Sequence, residues 1–268
     1  MPELPEVETV VRTLEKRIKN RRIEKVEVIY EPIITGSVTS FKRKLKGQHF
    51  RKFSRRGKFL LFYMDDVLFV SHLRMEGKYY IQDKDEPRDK HMHIIFHLDD
   101  GKELRYRDTR KFGRMEICPL DTDIDSFHDL GLEPWDDRLD AQYVLDVCKK
   151  RSIPIKTLLL DQHFIAGIGN IYADEILFAS KIEPTRSSNT ITKKEAELII
   201  KSTKKILEEA IKAGGTTIRS YTSSLGVSGK FQLSCMVHTK EICQKCKSNI
   251  IVKYIGGRST YYCPKCQK

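Results

Sequence analysis

The sequence predicts an α+β protein in three parts, and three observations carry that reading. Short strand-like runs broken by acidic turns fill the first half, helical periodicity dominates after residue 140, and two Cys-x-x-Cys pairs close the chain. At 268 residues the chain has length for one large domain or two ordinary ones. Apolar residues at 40% and charged residues at 32% exclude a disordered chain, and no apolar run is long enough to cross a bilayer. The first residues carry acids where a secretory signal has a basic segment and an apolar stretch, so a cytoplasmic location is expected.

Taken in order, the first element is a helix over 6–18, where Val7, Val10, Val11, Leu14 and Ile18 recur at helical spacing. Its start, "MPELPEVETV", places Pro5 in the first turn and Glu6 and Glu8 near the positive end of the helix dipole, but leaves Pro2 and Glu3 without a purpose. Strands follow in "KVEVIY" (25–30), "FLLFYM" (59–64), "VLFVSHL" (67–73), "KYYIQD" (78–83), "HMHIIFHL" (91–98) and "ELRYRD" (103–108). The turns "DD" and "DDG" between several of them indicate antiparallel pairing. The pattern changes near 121–135. Helices are expected in "DAQYVLDVCKKR" (140–151) and in "TKKEAELIIKSTKKILEEAIKAGG" (192–215), the latter closed by a glycine pair. A Thr-, Ser- and Gly-rich loop then leads to the cysteine tail, and no internal repeat is present.

Lys and Arg outnumber Asp and Glu by 49 to 37, a net charge of +12 that points to a polyanionic partner, nucleic acid or an acidic membrane. The excess is concentrated. Lys42 to Lys58 holds nine basic residues and no acid, and Lys230 to Lys268 holds eight against the single acid Glu241. Two such stretches favour a groove that tracks phosphates.

Cys118, Cys148 and Cys235 are isolated and read as inert thiols, whereas "CQKC" (243–246) and "CPKC" (263–266), sixteen residues apart, have the spacing of four thiolates around one zinc ion. The intervening "NIIVKYIGGRSTYY" reads as a hairpin turning at Gly256–Gly257. Four cysteines with no spare ligand make a closed, structural site, and Arg258 beside the turn is placed to grip a phosphate. "DQHFIAGIGNIYADE" (161–175) carries a tight turn before a helix, where backbone N–H groups and Asn170 make a phosphate site; taken alone it reads equally as an ordinary helix–turn–helix corner. In "SHLRMEGK" and "RDTRKFG", Met75, Arg110 and Phe112 stand at strand ends. Singly a Met or Phe is usually core, but with an Arg the set is like the wedges that occupy an opened duplex.

The stretches "PELPEVET", "RRGKFLLF", "SHLRMEGK", "DTRKFG", "AGIGNIYADE", "GGTTIRSY" and "GGRSTYYCPKCQ", in order over nearly the whole chain, resemble the bacterial formamidopyrimidine-DNA glycosylases. Leu4 and Val7 set it apart from the sister endonuclease VIII family, whose members begin Pro-Glu-Gly-Pro-Glu-Ile. One departure is visible: "VHTKEIC" is shorter than the family's Val-Tyr-Gly-Arg-X-Gly-X-Pro-Cys.

The resemblance implies a catalytic β-sandwich domain over 1–130, a helix-two-turn-helix DNA-binding domain with a lesion loop over 131–230, and a zinc finger over 231–268. It implies a monomeric base-excision repair enzyme, glycosylase and abasic-site lyase, acting on double-stranded DNA that carries oxidised purines or abasic sites. It also gives Pro2 and Glu3 their purpose. With Met1 removed, Pro2 carries a secondary α-amine that attacks the sugar C1′, and Glu3 moves protons at the opening sugar. Glu6 supports a water or the amine, Lys58 is the proton donor of β-elimination, and Arg258 serves δ-elimination and the phosphates beside the lesion. Met75, Arg110 and Phe112 fill the void left by the flipped base. His91, Arg151 and Asn170 contact DNA. Glu76 touches the lesion, and Thr217, Ile218, Arg219 and Tyr221 belong to the lid over it. Two alternatives stand against this: an endonuclease VIII-like preference for oxidised pyrimidines, and a non-catalytic DNA binder, which has no need of Pro2, Glu3 and Lys58 together.

Overall fold

The computed structural model describes residues 1–216 and 229–268. The chain divides into two compact units, Met1–Asp123 with Gly214–Lys230, and Ile124–Ala213 with Phe231–Lys268.

In the first unit the described elements are, in chain order, α1 (Leu4–Ile18), β1 (Ile23–Val28), α2 (Val38–Leu45), β2 (Lys52–Arg56), β3 (Phe59–Tyr63), β4 (Val67–His72), β5 (Lys78–Asp83), β6 (Met92–Leu98), β7 (Lys102–Arg107) and β8 (Arg114–Pro119). The strands form two four-stranded antiparallel sheets, ordered β1-β6-β7-β5 and β2-β3-β4-β8. Each sheet turns one face inward, and Phe62 and Phe69 of one meet Phe96 and Leu104 of the other in a single core with Leu14 of α1 and Phe41 of α2. The Phe69 and Phe96 rings, from opposite sheets, lie 5.5 Å apart, which interlocks the sandwich.

The start of α1 is more economical than the sequence reading. Glu3 is the N-cap. Its side chain accepts from the Glu6 backbone while its own N–H donates to Glu6 Oε2 at 2.9 Å, a reciprocal capping box. Elements α2, β2 and β8 lie outside the strands and helices expected from periodicity. In β2 only Phe53 is buried, opposite Phe62 of β3, so the basic run that suggested a phosphate-binding stretch concealed a strand.

The second unit contains α3 (Ile124–Phe127), α4 (Ala141–Lys149), α5 (Ile155–Leu159), α6 (Asn170–Ser180), α7 (Lys193–Lys212) and a hairpin of β9 (Ile251–Ile255) and β10 (Arg258–Tyr262). Helix α7 opens with a capping box between Thr192 and Glu195, and Arg186 clamps the same Glu195 carboxylate. The hairpin turns where expected: Gly256 and Gly257 both have positive φ, 55° and 74°, the backbone a tight hairpin turn demands of both central residues.

Candidate active site and DNA interface

The first turn of α1 carries the chain start into the first unit, with Pro2, Glu3 and Glu6 all buried. Glu6 is doubly committed. Oε2 caps Glu3, and Oε1 accepts from the Thr216 backbone N–H at 2.7 Å and the Thr216 hydroxyl at 3.0 Å. Gly215 makes this approach possible, since a Cβ there would stand 2.7 Å from Glu6 Oε1 and its φ of 80° is left-handed. Lys58 follows Gly57 in the β2–β3 turn and is buried despite its charge. Burial holds the N-terminal ammonium below its ordinary pKa, against the fields of Glu3, Glu6 and Glu76 and together with that of Lys58. The structure therefore gathers the chain start, Glu3, Glu6, Lys58 and Glu76 at one place in this unit.

Two loops of the same unit carry the void-filling candidates. Residues 73–77 join β4 to β5 and hold Met75, which is half-buried; residues 108–113 join β7 to β8 and present Arg110 and Phe112 to solvent. Both loops close on one buried hydroxyl. A Cβ on Gly77 would lie 2.2 Å from Tyr106 Oη, and one on Gly113 would lie 1.8 Å from it. Asp108, fully buried, fixes the second loop by accepting from the Arg110 N–H at 3.0 Å and the Gly113 N–H at 2.8 Å. Lys111 adopts a left-handed φ of 59°, and the Arg110 guanidinium stacks 4.7 Å from the Phe112 ring centroid. Gly113→Ala is therefore expected to destabilise the first unit by about 1–3 kcal/mol, the scale of overpacking a core. Tyr106→Phe in the same chain should recover part of the loss, and urea unfolding of the single and double variants measures both. His91 is half-buried just before β6; its N–H donates to Asp89 and its carbonyl accepts from the Asp108 N–H at 3.0 Å.

In the second unit, Asn170 begins α6 and donates from Nδ2 to the Ser259 carbonyl at 2.9 Å, one residue from Arg258. Arg258 is exposed beside the hairpin turn, and Arg151 pairs with Asp161. Beneath the hairpin lies a polar network that periodicity could not reveal. Lys156, fully buried, forms an ion pair with the equally buried Asp174 at 2.7 Å and donates to Thr260 Oγ1 at 2.8 Å and the Ser259 carbonyl at 3.1 Å. Asp174 also accepts from His238 Nδ1 at 2.7 Å. The shortened segment before the first knuckle is held by Glu175, whose carboxylate accepts three successive N–H groups, those of Met236, Val237 and His238. Burial raises the Glu175 pKa, and those three donors oppose the rise. Thr239 turns the chain there with a left-handed φ of 60°.

The four Sγ atoms of Cys243, Cys246, Cys263 and Cys266 lie within 4.8 Å of one another, with Cys246 and Cys263 3.4 Å apart and Cys243 and Cys266 3.9 Å apart. Tetrahedral thiolates on a zinc ion stand about 3.8 Å apart, given metal–sulfur bonds of about 2.3 Å, so the cluster fits a bound metal.

Two family models match the chain: the formamidopyrimidine-DNA glycosylase N-terminal domain over residues 1–115 and the formamidopyrimidine-DNA glycosylase H2TH domain over residues 130–222. A Bacillus licheniformis formamidopyrimidine-DNA glycosylase is 47% identical over the full length of both chains. The chain belongs to the formamidopyrimidine-DNA glycosylase family. The Bacillus cereus formamidopyrimidine-DNA glycosylase is 45% identical, covering all of this chain and 99% of its own. Solved structures agree. A Lactococcus lactis variant in complex with Fapy-dG-containing DNA superposes with a TM-score of 0.95 at 39% identity over 100% of both chains. The Lactococcus lactis protein with abasic-site DNA gives 0.93 at 39% over 99% of both. As a formamidopyrimidine-DNA glycosylase, this protein is a DNA glycosylase of base-excision repair, with the expected β-sandwich, helix-two-turn-helix and cysteine-hairpin parts. No helix among the described residues is long and apolar enough to cross a membrane. The lesion-loop residues Thr217, Ile218, Arg219 and Tyr221 lie outside the described residues.

Proposed function

We propose that the protein is a bifunctional glycosylase and abasic-site lyase that removes oxidised purines, chiefly 8-oxoguanine and formamidopyrimidines, from duplex DNA. The observation that carries the reading is the buried chain start, where Pro2 and Glu3 share their surroundings with Glu6, Lys58 and Glu76. Burial depresses the charged form of an amine, which is what a terminal nucleophile needs near neutral pH. With Met1 removed, the Pro2 nitrogen attacks C1′, the base leaves, and the resulting iminium ion acidifies the C2′ proton. Glu3 protonates the opening sugar, Lys58 serves the β-elimination, and Arg258 serves the δ-elimination and grips phosphate. Glu6, whose two oxygens hold Glu3 and Thr216, acts by positioning. His91, Arg151 and Asn170 bind the DNA backbone. The base is flipped at a cost of a few kcal/mol, offset by Met75, Arg110 and Phe112 in the vacated stack, while Glu76, Thr217, Ile218, Arg219 and Tyr221 meet the lesion.

The ion on Cys243, Cys246, Cys263 and Cys266 is one structural zinc, which supplies folding energy to the hairpin. Relatives solved with Fapy-dG and abasic-site DNA support the substrate class, and the net charge of +12 supports a polyanionic partner; a monomeric cytoplasmic enzyme working on the nucleoid completes the reading. Borohydride reduction with abasic-site duplex should trap a covalent adduct through Pro2; its absence would remove the lyase assignment. A panel of oxidised purines and pyrimidines separates this reading from the endonuclease VIII-like one. Arg110→Ala should weaken binding opposite cytosine by about 1–3 kcal/mol, the worth of a bidentate base contact, and flatten the preference among the four opposite bases. An unchanged preference takes base reading away from Arg110.

A further inference from the structure

The two loops that hold the void-filling residues are joined by a hydrogen bond whose donor has no assigned part in the reaction. Thr109 Oγ1, in the loop that carries Arg110 and Phe112, donates to Glu76 Oε2, next to Met75 in the other loop. The bond does not stand alone. Gly77 and Gly113 bring the two loops onto the same Tyr106 hydroxyl, closer than any side chain at either position allows, and the buried Asp108 carboxylate fixes the backbone of Thr109's loop at Arg110 and Gly113. Glu76 is, at the same time, within electrostatic reach of the chain-terminal amine and of Lys78, a lysine that is itself largely buried. One carboxylate thus acts on the chain start with its charge while one of its oxygens is held by the loop that carries Arg110 and Phe112.

We propose that Thr109 is a positioning residue: by donating to Glu76 it fixes the lesion-facing carboxylate and ties it to the loop that reads the opposite base, so that lesion removal depends on what Arg110 meets. This rests on the assignment of Glu76 to the lesion made above. A free Glu side chain samples several rotamers, and one charge-assisted hydrogen bond from a rigid β-branched residue selects among them. Loop and carboxylate then move as one body. A poor fit of Arg110 to the orphan base displaces Thr109, and through it the Glu76 oxygen that faces the lesion.

Thr109→Val keeps the shape and removes the donor; Thr109→Ser keeps the donor. Single-turnover excision of 8-oxoguanine opposite cytosine should slow about tenfold in Thr109→Val, the factor that corresponds to one charge-assisted hydrogen bond, with little change in duplex affinity. The ratio of rates opposite cytosine and adenine should shrink in the same variant, and Thr109→Ser should restore both quantities. Adding Thr109→Val to Glu76→Ala should cost nothing further, because the acceptor is already gone. Circular dichroism and thermal melting of the same preparations establish that each variant is folded. A Thr109→Val enzyme with wild-type rates and opposite-base ratio, alongside an impaired Glu76→Ala, overturns the inference and leaves the Glu76 assignment standing. So does a Thr109→Ser variant as defective as Thr109→Val, or additive losses in the double variant. A Glu76→Ala enzyme with wild-type lesion preference overturns the assignment of Glu76, and the inference with it.

Discussion

Protein that keeps Met1 is expected to release no damaged base and to form no borohydride-trapped adduct. In that form the Pro2 nitrogen is an amide whose lone pair is delocalised into the Met1 carbonyl, and it cannot add to C1′. The terminal amine of Met1 is a poor substitute, because it stands one residue farther along the chain and nucleophilic attack tolerates little misplacement. Loss of a covalent nucleophile costs on the order of 10⁴–10⁶ in rate, so the effect should exceed that of any other single change in the first unit. Its surroundings also set the pH profile. Burial lowers the pKa of the amine at this chain start, and Lys58 acts in the same sense. After removal of Met1 the amine sits on Pro2, which is buried in its turn, so desolvation continues to favour the neutral, nucleophilic form. The rate should rise with pH through an apparent pKa below that of an exposed α-amine, and Lys58→Gln, which removes a neighbouring positive charge, should move that limb to higher pH. Preparations with and without Met1, distinguished by mass spectrometry and assayed side by side on an abasic-site duplex, provide the check. An adduct of undiminished yield on the Met1-bearing form would assign the nucleophile elsewhere.

Helices α1 and α7 and the cysteine hairpin were legible in the sequence because each is specified locally. Apolar residues at helical spacing, the glycine pair that closes α7 and a Gly256–Gly257 turn all act within a few positions. Strand β2 was not, since Lys52–Arg56 buries one apolar residue and its pairing with β3, not its composition, makes it a strand. The site divides the same way. Pro2, Glu3 and Lys58 lie in short motifs that resemblance identifies, and the four cysteines are identified by their own spacing. What positions them comes from residues far apart in the chain. Thr216 reaches Glu6 across 210 positions, and Lys156 reaches Thr260 across 104. Lys156 sits in "IPIKTLLL", where nothing distinguishes it from a solvated lysine until Asp174 is found beside it. Arg55 illustrates the converse. It belongs to the basic run expected to track phosphates, yet it is tied to Glu8 at 3.0 Å and to the Gly57 carbonyl.

Cys243→Ser is expected to lose the metal, unfold the hairpin and abolish specific DNA binding while leaving the first unit folded. Metal binding by a small cysteine cluster is folding free energy, of the order of 10–16 kcal/mol for structural zinc, and the hairpin has little else to replace it. Two strands of five residues with mostly outward side chains do not hold themselves. The damage should spread inside the second unit. Cys243 and Cys263 pack with Val237 against Phe178 of α6, and the Lys156–Asp174 pair is roofed by Thr260 and the Ser259 carbonyl. Withdrawing the hairpin takes those partners from a buried lysine and exposes apolar surface on α6, so the second unit should melt at lower temperature. The first unit has its own core of two sheets and two helices and should retain its transition. Arg258→Ala makes the complementary case. Arg258 is exposed beside the turn and contributes nothing to the cysteine cluster, so the variant should keep its metal and its melting curve while losing about tenfold in affinity, as befits one charge-assisted phosphate contact. Since zinc ligated by four thiolates has no open position for water, metal loss should act through binding and not through the chemical step, and Arg258→Lys, which keeps the charge, should retain more affinity than Arg258→Ala. Metal content, thermal melting and affinity for abasic-site duplex, measured on the same preparations, separate these effects. A Cys243→Ser protein free of metal that still binds abasic-site DNA with wild-type affinity would show that the hairpin holds neither Arg258 nor the DNA.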